Sequence, residues 1–238
     1  FMSSKCYHSL PYQMTTPPNS MATKFQSVNG IQQLAESGRF KVWLLDQCGV
    51  LHDGKHPYPG AIFATEKLAK IGAKMVVITN TSRRASITMQ NLEALGFNTS
   101  LFVGTISSGE LTHQCLLRRS DPWFSALGST CIYITWSDRG SESLEGLGLR
   151  IVENIEEAEF VLVHGNEGKG KCCGSVSPMT LEEIEMLLKK CAAKGLPMVV
   201  ANPDFVTVEA RNLRVMPGKV NSCGWQGWFH GFGRHIGC

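Results

Sequence analysis

Acidic residues are missing from both ends of this chain: residues 1–30 contain no Asp or Glu, and none follows Glu209. The nine cysteines are scattered and odd in number, with no Cys-x-x-Cys pair and no His spacing typical of zinc ligation. Without a secretory leader they read as free thiols of a reducing compartment, which excludes a disulfide scaffold. No apolar run approaches the ~20 residues of a membrane-spanning helix. No basic block or aromatic-basic stripe marks a nucleic-acid partner, and 23 basic against 20 acidic residues leave a formal charge of only +3. What is present is hydrophobic content of 43% over 238 residues, sufficient for one good core or one core and a second module.

The chain is organised around residues 41–54, Lys-Val-Trp-Leu-Leu-Asp-Gln-Cys-Gly-Val-Leu-His-Asp-Gly. Val42 to Leu45 reads as a strand buried on both faces, which delivers Asp46 at its carboxyl end. Gly49 lets the backbone turn close to a ligand. In open α/β sheets that end of the strands is the ligand crevice, so Asp46 is a candidate nucleophile or metal ligand. An isolated Asp that merely begins a turn is the alternative.

Around this stretch the pattern alternates. A short helix is expected over 31–37. A helix over 61–71 turns Ile62, Leu68 and Ile71 inward, a strand over 74–79 ends Thr79-Asn80, and a helix covers 85–95. Ser107 and Glu110 have capping-box spacing for the next helix, and Ser120-Asp121-Pro122 breaks the chain. Strands are then expected over 131–135, 160–163 and 198–201. A helix capped by Thr180 and Glu183 puts Leu181, Ile184, Leu188 and Cys191 on one face. Strand–helix alternation implies parallel pairing with right-handed crossovers. Residues 165–171, Gly-Asn-Glu-Gly-Lys-Gly-Lys, form either a phosphate cradle or, in preference, a mobile loop, because the Gly-Lys-Ser/Thr ending of a P-loop is missing.

Two motifs together, Asp46-x-Cys48-Gly49-Val50-Leu51-x-x-Gly54 and Thr79-Asn80-x-Ser82-Arg83, resemble the haloacid dehalogenase superfamily. The closest likeness is to its subclass IIA, the p-nitrophenyl-phosphatase-like and sugar-phosphate-phosphatase-like proteins, in a plant and bacterial branch. The resemblance spans about 24–218. It implies an α/β fold: a Rossmann-like parallel-sheet core over 31–119, incomplete at its carboxyl end, with an inserted α/β cap domain over 120–217. Residues 1–30 are expected to be a disordered leader, and 218–238 a divergent tail with neither strand nor helix period.

The resemblance also implies a chemistry. Asp46 matches the nucleophile that forms an aspartyl phosphate, and a Mg²⁺ ligand together with the backbone carbonyl of Cys48. Thr79 and Asn80 match the phosphoryl-binding second motif. Gly49, Ser82, Arg83 and Asp204 are candidate substrate contacts, the last level with a solvated Asn-Pro turn. The implied substrate is a small phosphorylated metabolite. The implied compartment is the cytoplasm or, given the leader composition, an organelle such as a plastid.

Two departures stand against full activity. Cys48 occupies the position of the general acid/base, and a thiol of ordinary pKa, about 8.5, serves poorly in that role. His52 or Asp53 is a candidate substitute acting through water. The acidic third motif has no counterpart after Glu209, Lys219 cannot be assigned its lysine, and one side of the core is expected to stay unpaired with apolar surface exposed. The leading expectation is therefore an impaired Mg²⁺-dependent phosphoester hydrolase. A non-catalytic phosphometabolite-binding or regulatory protein, or a truncated isoform without function, are the alternatives.

Overall fold

The computed structural model describes residues 28, 30–137, 144–209, 212–218 and 229–231. The expected disordered leader, Lys219 and most of the 218–238 tail lie outside these residues.

After the short helix α1 (Gln32–Glu36), three strands form the first sheet: β1 (Val42–Leu45), β2 (Lys74–Thr79) and β3 (Phe102–Ser107). All pair in parallel, in the order β1-β2-β3, with Val42 opposite Lys74 and Leu45 opposite Val77. Helices α2 (Ala61–Lys70) and α3 (Ala85–Ala94) cross over and pack Leu68 and Leu92 on Met75, Val77, Trp43 and Leu45. This is the strand–helix alternation that parallel pairing requires.

The second face of this sheet departs from the sequence reading. Val42 is 56% and Leu44 61% exposed, so β1 is buried on one face only. Its outer edge has no partner strand among the described residues. A compact apolar run could not distinguish a central strand from an edge strand with one bare face. Ile71 is likewise turned outward rather than into the core, since α2 ends one residue before it.

Helix α4 (Ser108–Arg118) leaves the end of β3, and α5 (Pro122–Ser125) follows. Ser107 caps α4, but Glu110 does not reach back to complete the box; its carboxylate takes the Arg84 guanidinium instead. Asp121 and Pro122 begin a helix rather than only breaking one, because the Asp121 carboxylate accepts the Trp123 N–H and proline suits the first turn.

A second, seven-stranded sheet comprises β4 (Thr130–Thr135), β5 (Arg150–Ile151), β6 (Phe160–Val163), β7 (Gly168–Gly170), β8 (Val176–Pro178), β9 (Met198–Val200) and β12 (Phe229–Gly231). The order is β12-β9-β6-β4-β7-β8, with β5 pairing β4 beside β7. Helix α6 (Leu181–Ala193) has the full capping box of Thr180 and Glu183 and packs Ile184, Leu188 and Cys191 on one face. Leu116 of α4 and Phe124 of α5 close the other. A hairpin of β10 (Val206–Glu209) and β11 (Asn212–Val215) stands apart from both sheets.

Two further expectations are corrected here. The 165–171 loop contains β7, paired to β4 and β8, and its Lys169 ammonium donates to the Glu153 carbonyl rather than standing ready for phosphate. Within the tail, Phe229–Gly231 adds to β9 as a parallel strand. Strands this short carry no readable period; their partners define them.

Candidate active site

Parallel pairing carries the carboxyl ends of β1, β2 and β3 to one side of the first sheet, and a cleft of about 370 Å³ opens there. Its floor includes Gln47, Cys48, His52, Thr79 and Asn80, and its far wall Asn202, Asp204, Thr207 and Met216.

The loop after β1 is tightly wound. The Gln47 carbonyl accepts the N–H groups of Leu51 at 2.8 Å and His52 at 3.1 Å, while the Gly49 N–H donates to the His52 carbonyl at 2.8 Å. Gly49 has φ +89°, a conformation costly for any residue with a Cβ. Leu51 is buried against the first sheet's core and anchors the loop.

Asp46 is exposed at the cleft mouth, just beyond β1, and its Oδ1 accepts the Gln47 N–H at 2.8 Å. It does not line the cleft itself, yet its charge acts on both His52 and Asp204. Thr79 is joined to it through Gln47, whose side-chain amide donates to Thr79 Oγ1 at 3.2 Å. The Thr81 N–H also donates to that oxygen, at 3.3 Å. With two donors already on its oxygen, the Thr79 hydroxyl has its own hydrogen left to give.

Asn80 and Asp204, 124 positions apart, meet directly: Asn80 Nδ2 donates to Asp204 Oδ2 at 2.6 Å. Burial raises the Asp204 pKa against the help of that bond, and the Asp46 charge raises it further. Arg83 lines the cleft, whereas neighbouring Arg84 is committed to Glu110 at 2.7 Å. That pairing lowers the Glu110 pKa to about 2.

Ser82 is placed elsewhere. It is buried and accepts the Trp136 indole N–H at 3.3 Å, away from the cleft lining. Trp136 in turn lies under the Arg214 guanidinium, 5.0 Å from its ring centre, and Arg214 pairs with Glu167. Gly109 backs the same loop so closely that a Cβ there would lie 1.9 Å from the Ser82 carbonyl oxygen. Gly49 supplies the turn but is not part of the lining.

Asp53 faces away from the chemistry: its Oδ1 accepts the N–H groups of Lys55 and His56. Of the two proposed substitutes for Cys48, only His52 lines the cleft. Sequence reasoning missed Gln47, the link between Asp46 and Thr79, although it stood inside the first motif. It also missed Thr207 and Met216, which the unread β10–β11 hairpin and its following residue bring to the wall.

Among the described residues no group of three or more His, Cys, Asp or Glu side chains converges to hold a metal ion. The exposed Asp46 carboxylate and the backbone carbonyls of the loop after β1 are hard oxygen donors. They fit Mg²⁺, which accepts one or two carboxylates and completes its shell with water and substrate phosphate.

Residues 43–150 match the family model of haloacid dehalogenase-like hydrolases. That match covers less than half of the chain. The fold likeness extends further along the chain. A haloacid dehalogenase-like family hydrolase from Brucella suis superposes with a TM-score of 0.65 at 20% identity, over 84% of this chain and 70% of that one. A 4-nitrophenylphosphatase from Thermotoga maritima gives 0.52 at 20% identity, over 80% of this chain and 67% of that one. A glycerol phosphate phosphatase from Mycobacterium tuberculosis, in complex with magnesium, gives 0.53 at 18% identity, over 81% of this chain and 54% of that one. The chain thus spans 54% to 70% of the lengths of these structures. No curated protein matches it. The haloacid dehalogenase-like α/β fold is therefore established. Among the described residues, no helix is long and apolar enough to cross a membrane.

Proposed function

We propose that the chain is a Mg²⁺-dependent phosphoester hydrolase scaffold acting through Asp46 on a small phosphorylated metabolite. The observation that supports this reading most is the Thr79 hydroxyl, which lines the cleft and accepts from the Gln47 amide and the Thr81 N–H, so that its own hydrogen is left to donate. An Asp46 oxygen attacks phosphorus as the bond to the leaving oxygen breaks, giving an aspartyl phosphate and an alkoxide that takes its proton from water. Water then hydrolyses the acyl phosphate, regenerating Asp46 and releasing inorganic phosphate. Thr79 donates to the phosphoryl oxygens, and Arg83 attracts the dianion to the cleft. Such catalysis is mainly positioning and charge stabilisation. Mg²⁺ bound to Asp46 and the Cys48 carbonyl supplies further charge neutralisation.

Residues 120–217 act as the cap, its Asp204 meeting Asn80 across the cleft and selecting the leaving group. Cys48 in place of a carboxylic acid keeps turnover low, at a cost of about 10²–10⁴-fold. The decisive experiment is turnover of p-nitrophenyl phosphate with Mg²⁺ by the wild type and Asp46→Asn. A slow wild-type rate that the substitution abolishes is expected; equal rates would refute the reading.

One observation favours a second reading, a phosphometabolite-binding protein without chemistry: among the described residues no group of three or more His, Cys, Asp or Glu side chains converges to hold a metal ion. Isothermal titration with phosphorylated metabolites separates the two. Micromolar binding without turnover supports the second, and binding with Mg²⁺-dependent turnover the first.

A further inference from the structure

His52 is the one ring that the loop after β1 holds against the cleft, and its hydrogen bonds define which nitrogen carries hydrogen. Its Nδ1 accepts the Gly54 N–H at 2.9 Å. An imidazole nitrogen that accepts a hydrogen bond is bare, so the neutral ring carries its hydrogen on Nε2. The ring is 7% exposed. Its backbone is held from both sides. The His52 N–H donates to Gln47 O at 3.1 Å, its carbonyl accepts from Gly49, and it bridges to Pro57. No protein group among the described residues takes the Nε2 hydrogen.

We propose that His52 serves as a fixed, neutral Nε2–H donor to an oxygen of the phosphate ester in the cleft, and not as the base that replaces the missing carboxylate. The inference rests on the reading of the cleft as a phosphoryl pocket. Donor geometry set before the ligand arrives requires no reorganisation when charge develops, which is where such groups gain most. A ring with Nδ1 occupied and Nε2 protonated has no lone pair to offer a water molecule. This separates His52 from the general-base role that its nearness to Asp46 in sequence suggested.

The test is ¹⁵N-edited NMR of the uniformly ¹⁵N-labelled full chain, with Mg²⁺ and orthovanadate as the probe. The expected result is a bare Nδ1 and an Nε2–H resonance that shifts on vanadate addition together with the Thr79 and Asn80 amides. A hydrogen on Nδ1, in either a switched tautomer or a cation, would overturn the proposal. So would an unmoved Nε2–H while the Thr79 and Asn80 amides shift, which leaves the cleft reading intact. No shift at any of the three would overturn both. Kinetics gives an independent readout on p-nitrophenyl phosphate. His52→Ala is expected to lower kcat by about 10²-fold with little change in KM. His52→Gln, whose amide can keep a donor near the Nε2 position, should recover much of the loss. Equal losses in Ala and Gln would assign the ring to loop structure and end the proposal.

Discussion

Strands β1 and β4 have the same kind of sequence, Val-Trp-Leu-Leu and Thr-Cys-Ile-Tyr-Ile-Thr, and opposite surroundings. Every residue of β4 is buried, between β6 on one edge and β5 with β7 on the other, with α6 above and α4 and α5 below. In β1, Val42 and Leu44 lie open on one face, and among the described residues only β2 pairs with the strand. The contrast shows that apolar content specifies that a strand wants cover, while the number of neighbouring elements decides whether it has it. The candidate site nevertheless lies at the end of the less covered strand. Its order there comes from the 46–60 loop, whose backbone bonds and Leu51 anchor do not depend on the bare face.

The sharpest way to break this contrast is to truncate one residue in each strand. Ile132→Ala in β4, at 0% exposure, should cost about 2–5 kcal/mol, whereas Leu44→Ala in β1 should stay within about 0.5 kcal/mol. Urea unfolding measures both, and similar losses would mean that the outer face of β1 is covered after all.

Acid titration sharpens it further, because the two regions should weaken over different pH ranges. His164, on the second sheet, has its pKa lowered to about 4, chiefly by burial and then by the His113 charge. A base whose folded pKa is depressed contributes stability that is lost as pH falls from its unfolded value, about 6.5, toward 4. Glu110 at the foot of the first sheet has its pKa lowered from 4.5 to about 2, chiefly by its bond from Arg84. That contribution is complete above 4.5 and disappears as pH falls through 2. The urea midpoint of Glu110→Gln should therefore fall less steeply than wild type below pH 4.5, and His164→Gln less steeply between pH 6.5 and 4. Parallel pH curves for either variant would contradict its assigned titration.

The smallest effect concerns the join between the two regions. Trp136→Phe keeps the ring under Arg214 but removes the donor to Ser82, and should cost about 1 kcal/mol. A loss near zero would show that the two sheets are held together without that bond.

Much of the site was legible in residues close together in the chain. Asp46 and Thr79 ended compact apolar strands, and strand ends are read from local composition. Thr180 and Glu183 were legible for the same reason, since a capping box is complete within four residues. Glu110 misled because its carboxylate had a stronger distant partner, Arg84, than the backbone at its own helix start. Strand β3 went unread because Phe-Val-Gly-Thr-Ile-Ser alternates poorly and holds a glycine. Strands β7, β8, β10 and β11 are at most four residues long, too short for a period to be read, so pairing defines them.

By itself the sequence determined most of the helices and the longer apolar strands, their parallel alternation, and the placing of one carboxylate and one hydroxyl at the ends of β1 and β2. These follow from periodicity, turn residues and chirality, which act over a few residues. The tertiary structure alone decided that β1 lies at an edge, that Gln47 joins Asp46 to Thr79, that Asn80 meets Asp204, and that His52 rather than Asp53 faces the cleft. Those outcomes depend on which distant groups compete for each hydrogen bond and each patch of apolar surface, and no local pattern records that competition.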